Sequence, residues 1–432
     1  MQRLIFALTI IASAADLPKD APKYTGPGSC ASPSCHGGVA PRSDTSVWQN
    51  EYSTWVVKDK HANAYSVLTN PVATRMAKIL GLKSADTAPK CLACHALDVP
   101  DNQRARTFDS MDGVSCESCH GPASNWLGPH TTKDSSKPEN HQEWVNLGMR
   151  DLRDPVHRTS TCLECHLGTK DKFVDHEMIA AGHPDLYFEL ASFQSVMPRH
   201  WKLATDKDPW VDVRDLAIGG AVQLRDQLKK VARDAQGPVW PEYANLDCFA
   251  CHHSLTPAMD SWRQERGYPG HRPGNPPWNL SRYIVFKQVV NEVDRGSAQQ
   301  LSSDIEKVYA LVTALAADRS QIAAQATAAS EAADKLVQKM TTAPIDAPMT
   351  QRLMKAICAD ADNIAAQDER SAEQSAMVLD SLYVAYSRNA KVDNADRVHA
   401  SIQALFKQFE DPSSYNGPKF AQALRAVGDL LK

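Results

Sequence analysis

The chain has 432 residues, enough for two or three domains. It is 43% hydrophobic and 23% charged, and 47 Lys and Arg stand against 51 Asp and Glu, a formal net charge of −4. That balance is ordinary for a soluble protein, lacks the basic excess of a nucleic-acid binder, and argues against a nucleic-acid partner.

The first stretch reads as an export signal over residues 1–14. Arg3 supplies the positive end, Leu4 to Ile11 the apolar run, and Ala12-Ser13-Ala14 a small-residue cleavage site. The run is shorter than the about 20 apolar residues of a membrane span, and no other segment comes close. The mature chain is therefore expected to have no membrane span and to be exported, periplasmic or extracellular.

Beyond the signal, cysteine and histidine carry the pattern. Ten of the eleven cysteines fall into five groups, each followed at once by histidine. Cys30-Ala-Ser-Pro-Ser-Cys35-His36 comes first, with four residues between its cysteines. Cys91-Leu-Ala-Cys94-His95, Cys116-Glu-Ser-Cys119-His120, Cys162-Leu-Glu-Cys165-His166 and Cys248-Phe-Ala-Cys251-His252 have the standard two. Two thiols one helical turn apart can form thioethers with the two vinyl groups on one edge of a porphyrin. The next histidine then lies under the ring, where an imidazole nitrogen can bind iron. A zinc site or a thioredoxin-like pair does not require that histidine; for Cys30 and Cys35 a small disulfide loop is the competing reading. The expectation is five covalently bound c-type haems, with His36, His95, His120, His166 and His252 as proximal ligands.

Residues 15–275 hold all five motifs and few long periodic apolar runs, as expected where porphyrin faces replace much of a side-chain core. One longer helix is predicted over Asp212 to Asp234, since Ala217, Ala221, Leu224, Leu228 and Val231 recur three and four apart and Gly237-Pro238 supplies a stop. Pro269 to Pro277 is rich in Pro and Gly and reads as a boundary. Residues 281–432 read as an all-helical bundle without haem. Ser303-Asp-Ile-Glu306 is a capping box, and the apolar period runs through Ile305, Val308, Val312, Leu315 and Ile322 towards Leu336 and Met340. Unbroken, that helix is about 50–60 Å long. Further helices are expected near 350–366, 370–388, 392–410 and 418–431. Cys358 reads as a small buried hydrophobe. The fold class is mainly α, with little regular sheet.

The group on the far side of each iron separates a carrier from a catalyst. A second histidine saturates the iron and lowers its potential relative to methionine, whereas an open face can bind a small molecule. Ten histidines lie outside the motifs, so counting alone does not assign them.

Gly113-Val-Ser-Cys116-Glu-Ser-Cys119-His120-Gly-Pro, with His130 ten residues on, resembles the cytochrome c-554 (cytochrome c-552/4) family of multihaem cytochromes. Lys60-His61-Ala-Asn-Ala64 and His157, five residues ahead of Cys162, share the likeness, which covers roughly residues 28–170. The resemblance implies a helical haem-packing fold with haems in close pairs and a role in periplasmic electron transfer. It implies that His130 caps the first haem, His61 the third and His157 a later one, and that the iron on His95 is the open site. The stretched first motif, the added motif at Cys248 and the helical C-terminal half depart from the family pattern. Outside the likeness, His183 and His176 are preferred to His200 as further distal ligands, and His253 is another candidate. His141, His271 and His399 read as surface or structural.

The leading functional expectation is an exported pentahaem electron-transfer protein acting between redox protein partners. An oxidoreductase with one open haem, acting on a small nitrogen or sulfur compound, is the alternative. A filament-forming conduit, a homo-oligomer joined through the C-terminal helices, is the third.

Overall fold

The computed structural model describes residues 21–134, 137–202, 208–248, 251–252, 276–411 and 415–431. The expected export signal, His253, His271 and most of the boundary from Pro269 to Pro277 lie outside the described residues. The architecture is mainly α: the described residues contain helices and two isolated bridges, Tyr24 with Arg104 and Leu246 with Trp278, but no strand. No described helix is long and apolar enough to cross a membrane.

In the motif-bearing half the helices are short. They are α1 (Glu51–Lys58), α2 (Pro71–Ile79), α3 (Pro89–His95), α4 (Cys116–His120), α5 (Pro129–Thr132), α6 (Pro138–Asn146), α7 (Pro155–His166), α8 (His176–Ala181) and α9 (Leu190–Val196). Their starts are written locally. Proline occupies the first turn of α2, α3, α5, α6 and α7, where its missing N–H costs no hydrogen bond. Asn70, Asp154 and Asp175 each accept a backbone N–H at the start of α2, α7 and α8. Ser115 and Ser118 form a reciprocal capping box on α4.

The C-terminal half is built from longer helices. α10 (Val211–Gln236) is followed by α11 (Ser281–Ile284), α12 (Phe286–Val293), α13 (Arg295–Val312), α14 (Arg319–Thr342), α15 (Ala347–Ala359), α16 (Ala361–Gln367), α17 (Glu369–Asn389), α18 (Ala395–Phe406) and α19 (Gly417–Leu430). The predicted helix over 212–234 is present as α10. The long apolar run through 305–340 is two helices, not one. Asp318 accepts from the N–H groups of Ser320 and Gln321 and starts α14 afresh, and Leu315 sits 90% exposed in the turn between them. α13 begins at Arg295 because Asp294, with extended backbone, accepts from Ser297 N. Ser303 therefore lies inside a helix and caps nothing.

One hydrophobic core runs from Leu163 and Leu167, through α10, to Leu431. α10 precedes the expected boundary in sequence yet lies along α14 in this core, so the helical packing reaches across residues 269–277. Two glycines let α10 be approached closely: a Cβ on Gly219 would meet Leu190 at 2.8 Å, and one on Gly220 would meet Phe286 at 2.6 Å. Polar contacts join the halves as well. Glu189, buried at the start of α9, accepts from Ala191 N, Ser192 N and the Ser381 hydroxyl of α17. Arg158 of α7 pairs with Asp215 of α10. The face of α9 that carries Phe193 thus joins the motif half to the bundle. Cys358 is buried in this core, with its thiol pushed up to about 12 by burial.

Candidate functional site

Each motif closes one turn of backbone that sets its histidine. In the fifth, His252 N donates to Cys248 O at 2.8 Å. In the first, His36 N donates to Cys30 O at 3.2 Å although two more residues intervene. The extra residues are accommodated by a tight turn in which Cys35 N donates to Ser32 O at 2.8 Å. The stretched motif therefore returns its histidine to the register of the others. No disulfide joins any of the eleven cysteines, Cys30 and Cys35 included. Among the described residues no three His, Cys, Asp or Glu side chains converge as a zinc site requires.

The imidazoles are arranged in facing pairs. Ring centres lie 6.2 Å apart for His36 and His130, 6.3 Å for His61 and His166, 6.3 Å for His95 and His183, and 6.1 Å for His176 and His252. With a metal–nitrogen bond of about 2.0 Å and a ring centre about 1.1 Å behind each nitrogen, two imidazoles on opposite sides of one metal have centres about 6.2 Å apart. Four motif histidines thus face a second histidine at the separation that two axial ligands of one iron require. The residues present fit the group that the motifs imply.

Which ring nitrogen remains available is fixed by the other one's partner. The Nδ1 atoms of His36 and His61 bond the carboxylates of Glu51 and Asp59, at 2.8 and 2.9 Å. Those of His95, His130 and His183 bond backbone carbonyls of Ala64, Leu127 and Pro184 at 2.8, 2.6 and 2.7 Å. Nε2 is left for the metal in every case. His141 is arranged the other way, with Nε2 bonded to Asp151 at 2.9 Å, as a structural histidine would be. Burial pushes His120 and His166 down to about 4, which keeps them in the neutral form that ligates.

Aromatic and loop contacts hold these rings. Trp126 and Trp144 meet His130 edge-on, and Phe188 and Phe193 flank His166. Gly113, at φ 71°, passes so close to the His61 turn that a Cβ would meet His61 O at 3.0 Å. The fifth motif is strapped to the bundle by Asp247 N to Pro277 O and Asn279 N to Asn245 O, beside the buried Trp278.

Contacts between motifs give the attachment sites an order in space. The Cys30 side chain interacts with that of Cys116, and Cys94 with Cys165. Cys119 and Cys162 are close enough to act on each other electrostatically. Lys90 of α3 pairs at 2.6 Å with Asp175, the cap of α8, which carries His176 opposite His252. The first motif thus adjoins the third, the third the fourth and the fourth the second, and the helix of the second reaches the cap of α8 near the fifth.

Residues 30–121, which hold the first three motifs and His61, match the family model described as cytochrome c554 and c-prime. This segment is cytochrome c-554-like. The chain is also similar to a cytochrome c-554 of Nitrosomonas europaea, 27% identical over 168 residues, 37% of this chain and 64% of that protein. The chain thus spans just under two thirds of the length of the curated relative it matches. No solved structure matches. A c-554-like segment carries covalently bound c-type haem, the group to which the paired thiols and histidines are suited.

Around the c-554-like segment the structure distributes the expected distal histidines unevenly. His130 stands opposite His36, the partner that the family likeness implied. His61 stands opposite His166 of the fourth motif and not opposite His120 of the third. His95, expected to be the open position, faces His183. His157 is 65% exposed at its side chain, with Asp154 at 3.6 Å, and has no motif histidine opposite it among the described residues. His120 is the motif histidine with no facing ring among the described residues; the charge of His200 acts on it, and His200 Nδ1 bonds Pro198 O at 3.3 Å.

Sequence reasoning passed over three groups. Glu51 and Asp59 orient His36 and His61; the acid two residues ahead of His61 is a local signal that was available. Glu117, inside the third motif, is 1% exposed and accepts from Thr25 N, Gly26 N and Ala123 N at 2.7–2.9 Å, pinning the lead to the first motif. Nothing in its spacing announced this.

Proposed function

We propose that the chain is an exported pentahaem c-type cytochrome that carries electrons between redox protein partners outside the cytoplasm. The observation that carries this reading is the set of four facing imidazole pairs at 6.1–6.3 Å. When bound, haem iron takes up and releases single electrons, and two histidine ligands keep it saturated. The paired thiols of each motif, Cys30 and Cys35, Cys91 and Cys94, Cys116 and Cys119, Cys162 and Cys165, Cys248 and Cys251, hold the porphyrin edges. His130, His183, His61 and His176 supply the second ligands for the first, second, fourth and fifth sites. His200 is the candidate cap for the third: it is near enough to act on His120, and its Nδ1 is engaged by a carbonyl as those of His130 and His183 are.

Saturation on both sides leaves the chain's own residues the tasks of spacing, orientation and exclusion of water. The thiol contacts between motifs support a row with the first and fifth sites at its ends, the places where protein partners would dock. One observation favours a second reading, an oxidoreductase for a small nitrogen or sulfur compound: His120 has no facing ring among the described residues, so an open face belongs there and not at His95.

Electron paramagnetic resonance of the oxidised protein, with carbon monoxide added to the reduced form, separates the two. The carrier reading predicts low-spin signals alone and an absorption spectrum unchanged by the gas. A high-spin component that disappears as carbon monoxide or nitric oxide binds would replace it with the oxidoreductase.

A further inference from the structure

The haem-free bundle sends one side chain into the fifth site. Arg370 lies in the first turn of α17, is 7% exposed, and spreads its guanidinium over three partners. Nη2 donates to the Cys248 sulfur at 3.1 Å, Nη1 donates to Ala244 O at 3.0 Å, and Nε pairs with the Asp185 carboxylate. Asp185 lies two residues beyond His183, on the loop that leads from the cap of the second site towards α9. A second guanidinium, that of Arg282 in α11, donates to Leu186 O at 3.1 Å on the same loop. Among the described residues Cys248 is the one attachment sulfur that accepts a hydrogen bond from a charged donor.

A buried charge is screened far less than a surface one, and hydrogen bonds to ligating groups together with local charge are the levers that set a haem's potential. A cation at the thioether favours the reduced form of the attached group. The Asp185 carboxylate opposes it from behind the guanidinium. Asp247 and Asp368 also act on Cys248 against the guanidinium, but among the described residues Arg370 alone bonds the sulfur. We infer that Arg370 raises the reduction potential of the fifth site, so that the helical bundle sets how readily the end of the row takes up an electron. This inference rests on haem being attached at Cys248 and Cys251. It gives the C-terminal half a function in electron transfer besides scaffolding, through one arginine placed by α17.

Potentiometric titration of the full-length protein, followed by its visible spectrum, tests this. The wave of the fifth site is the one absent from a Cys248→Ala/Cys251→Ala variant. Arg370→Gln is expected to lower that wave by at least a tenfold change in its reduction equilibrium, about 59 mV for one electron, and to leave the other four in place. Asp185→Asn is expected to move the same wave upward. Arg370→Lys keeps the charge but not the fork, and is expected to hold the wave closer to wild type than glutamine does. Should Arg370→Gln not fold, the Asp185→Asn and Arg370→Lys pair carries the test. Five unchanged potentials in the variants that fold, each with five haem masses attached, overturn the inference. A wild-type mass showing four haems is a different failure, that of the fifth attachment site itself.

Discussion

Replacing His183 with alanine is expected to convert one of the five proposed haems from low-spin to high-spin and to create one carbon-monoxide-binding site per chain. The expectation comes from geometry. His183 faces His95 at 6.3 Å between ring centres, its Nδ1 is committed to Pro184 O, and Nε2 is the atom left for iron. His61→Ala is expected to do the same at the fourth site, where His61 faces His166 and Asp59 fixes its ring. His157→Ala is the control: its exposed ring faces no motif histidine among the described residues, and its spectrum should match wild type. Paramagnetic resonance and a gas titration read all three. A His183→Ala protein with wild-type spin state would contradict the pairing.

The second large effect is on stability. Glu117→Ala is expected to cost about 3–5 kcal/mol, since it leaves three buried backbone N–H groups without an acceptor and removes charge-assisted bonds. Those N–H groups belong to Thr25, Gly26 and Ala123, so the loss detaches the lead to the first motif from the third. Glu117→Gln keeps the shape and one acceptor oxygen, and should cost roughly half as much. Denaturant unfolding of the haem-loaded protein measures both. A change below about 1 kcal/mol for the alanine variant would mean that the N-terminal segment is held by other contacts.

The candidate attachment motifs were legible because their pattern is local: two thiols and a histidine within one turn stand out without any knowledge of the fold. Even the stretched first motif could be read, since its two extra residues loop out and return His36 to register. The caps are a different matter. His61 meets His166 from more than a hundred residues away, and which of ten spare histidines faces which iron is decided by packing. The family likeness implied His130 opposite His36 and an open iron on His95; His183 lies beyond the residues, roughly 28–170, that the likeness covers. Helix content was readable from period and caps. The break between α13 and α14 was hidden, because Leu315 keeps the apolar period while sitting in the turn, and Asp318 alone marks the restart. The reach of α10 and Arg370 across the expected boundary depends on tertiary contacts that no local pattern encodes.

Five haems covalently held by one chain is the claim on which the ligand pairs, the order of sites and the role of Arg370 all depend. Intact mass of the purified, exported protein, with a haem c assay on the same sample, tests it most directly. The prediction is a mass above that of the processed polypeptide by five haems, and five equivalents of haem per chain. A colourless protein with the mass of the bare polypeptide would contradict it.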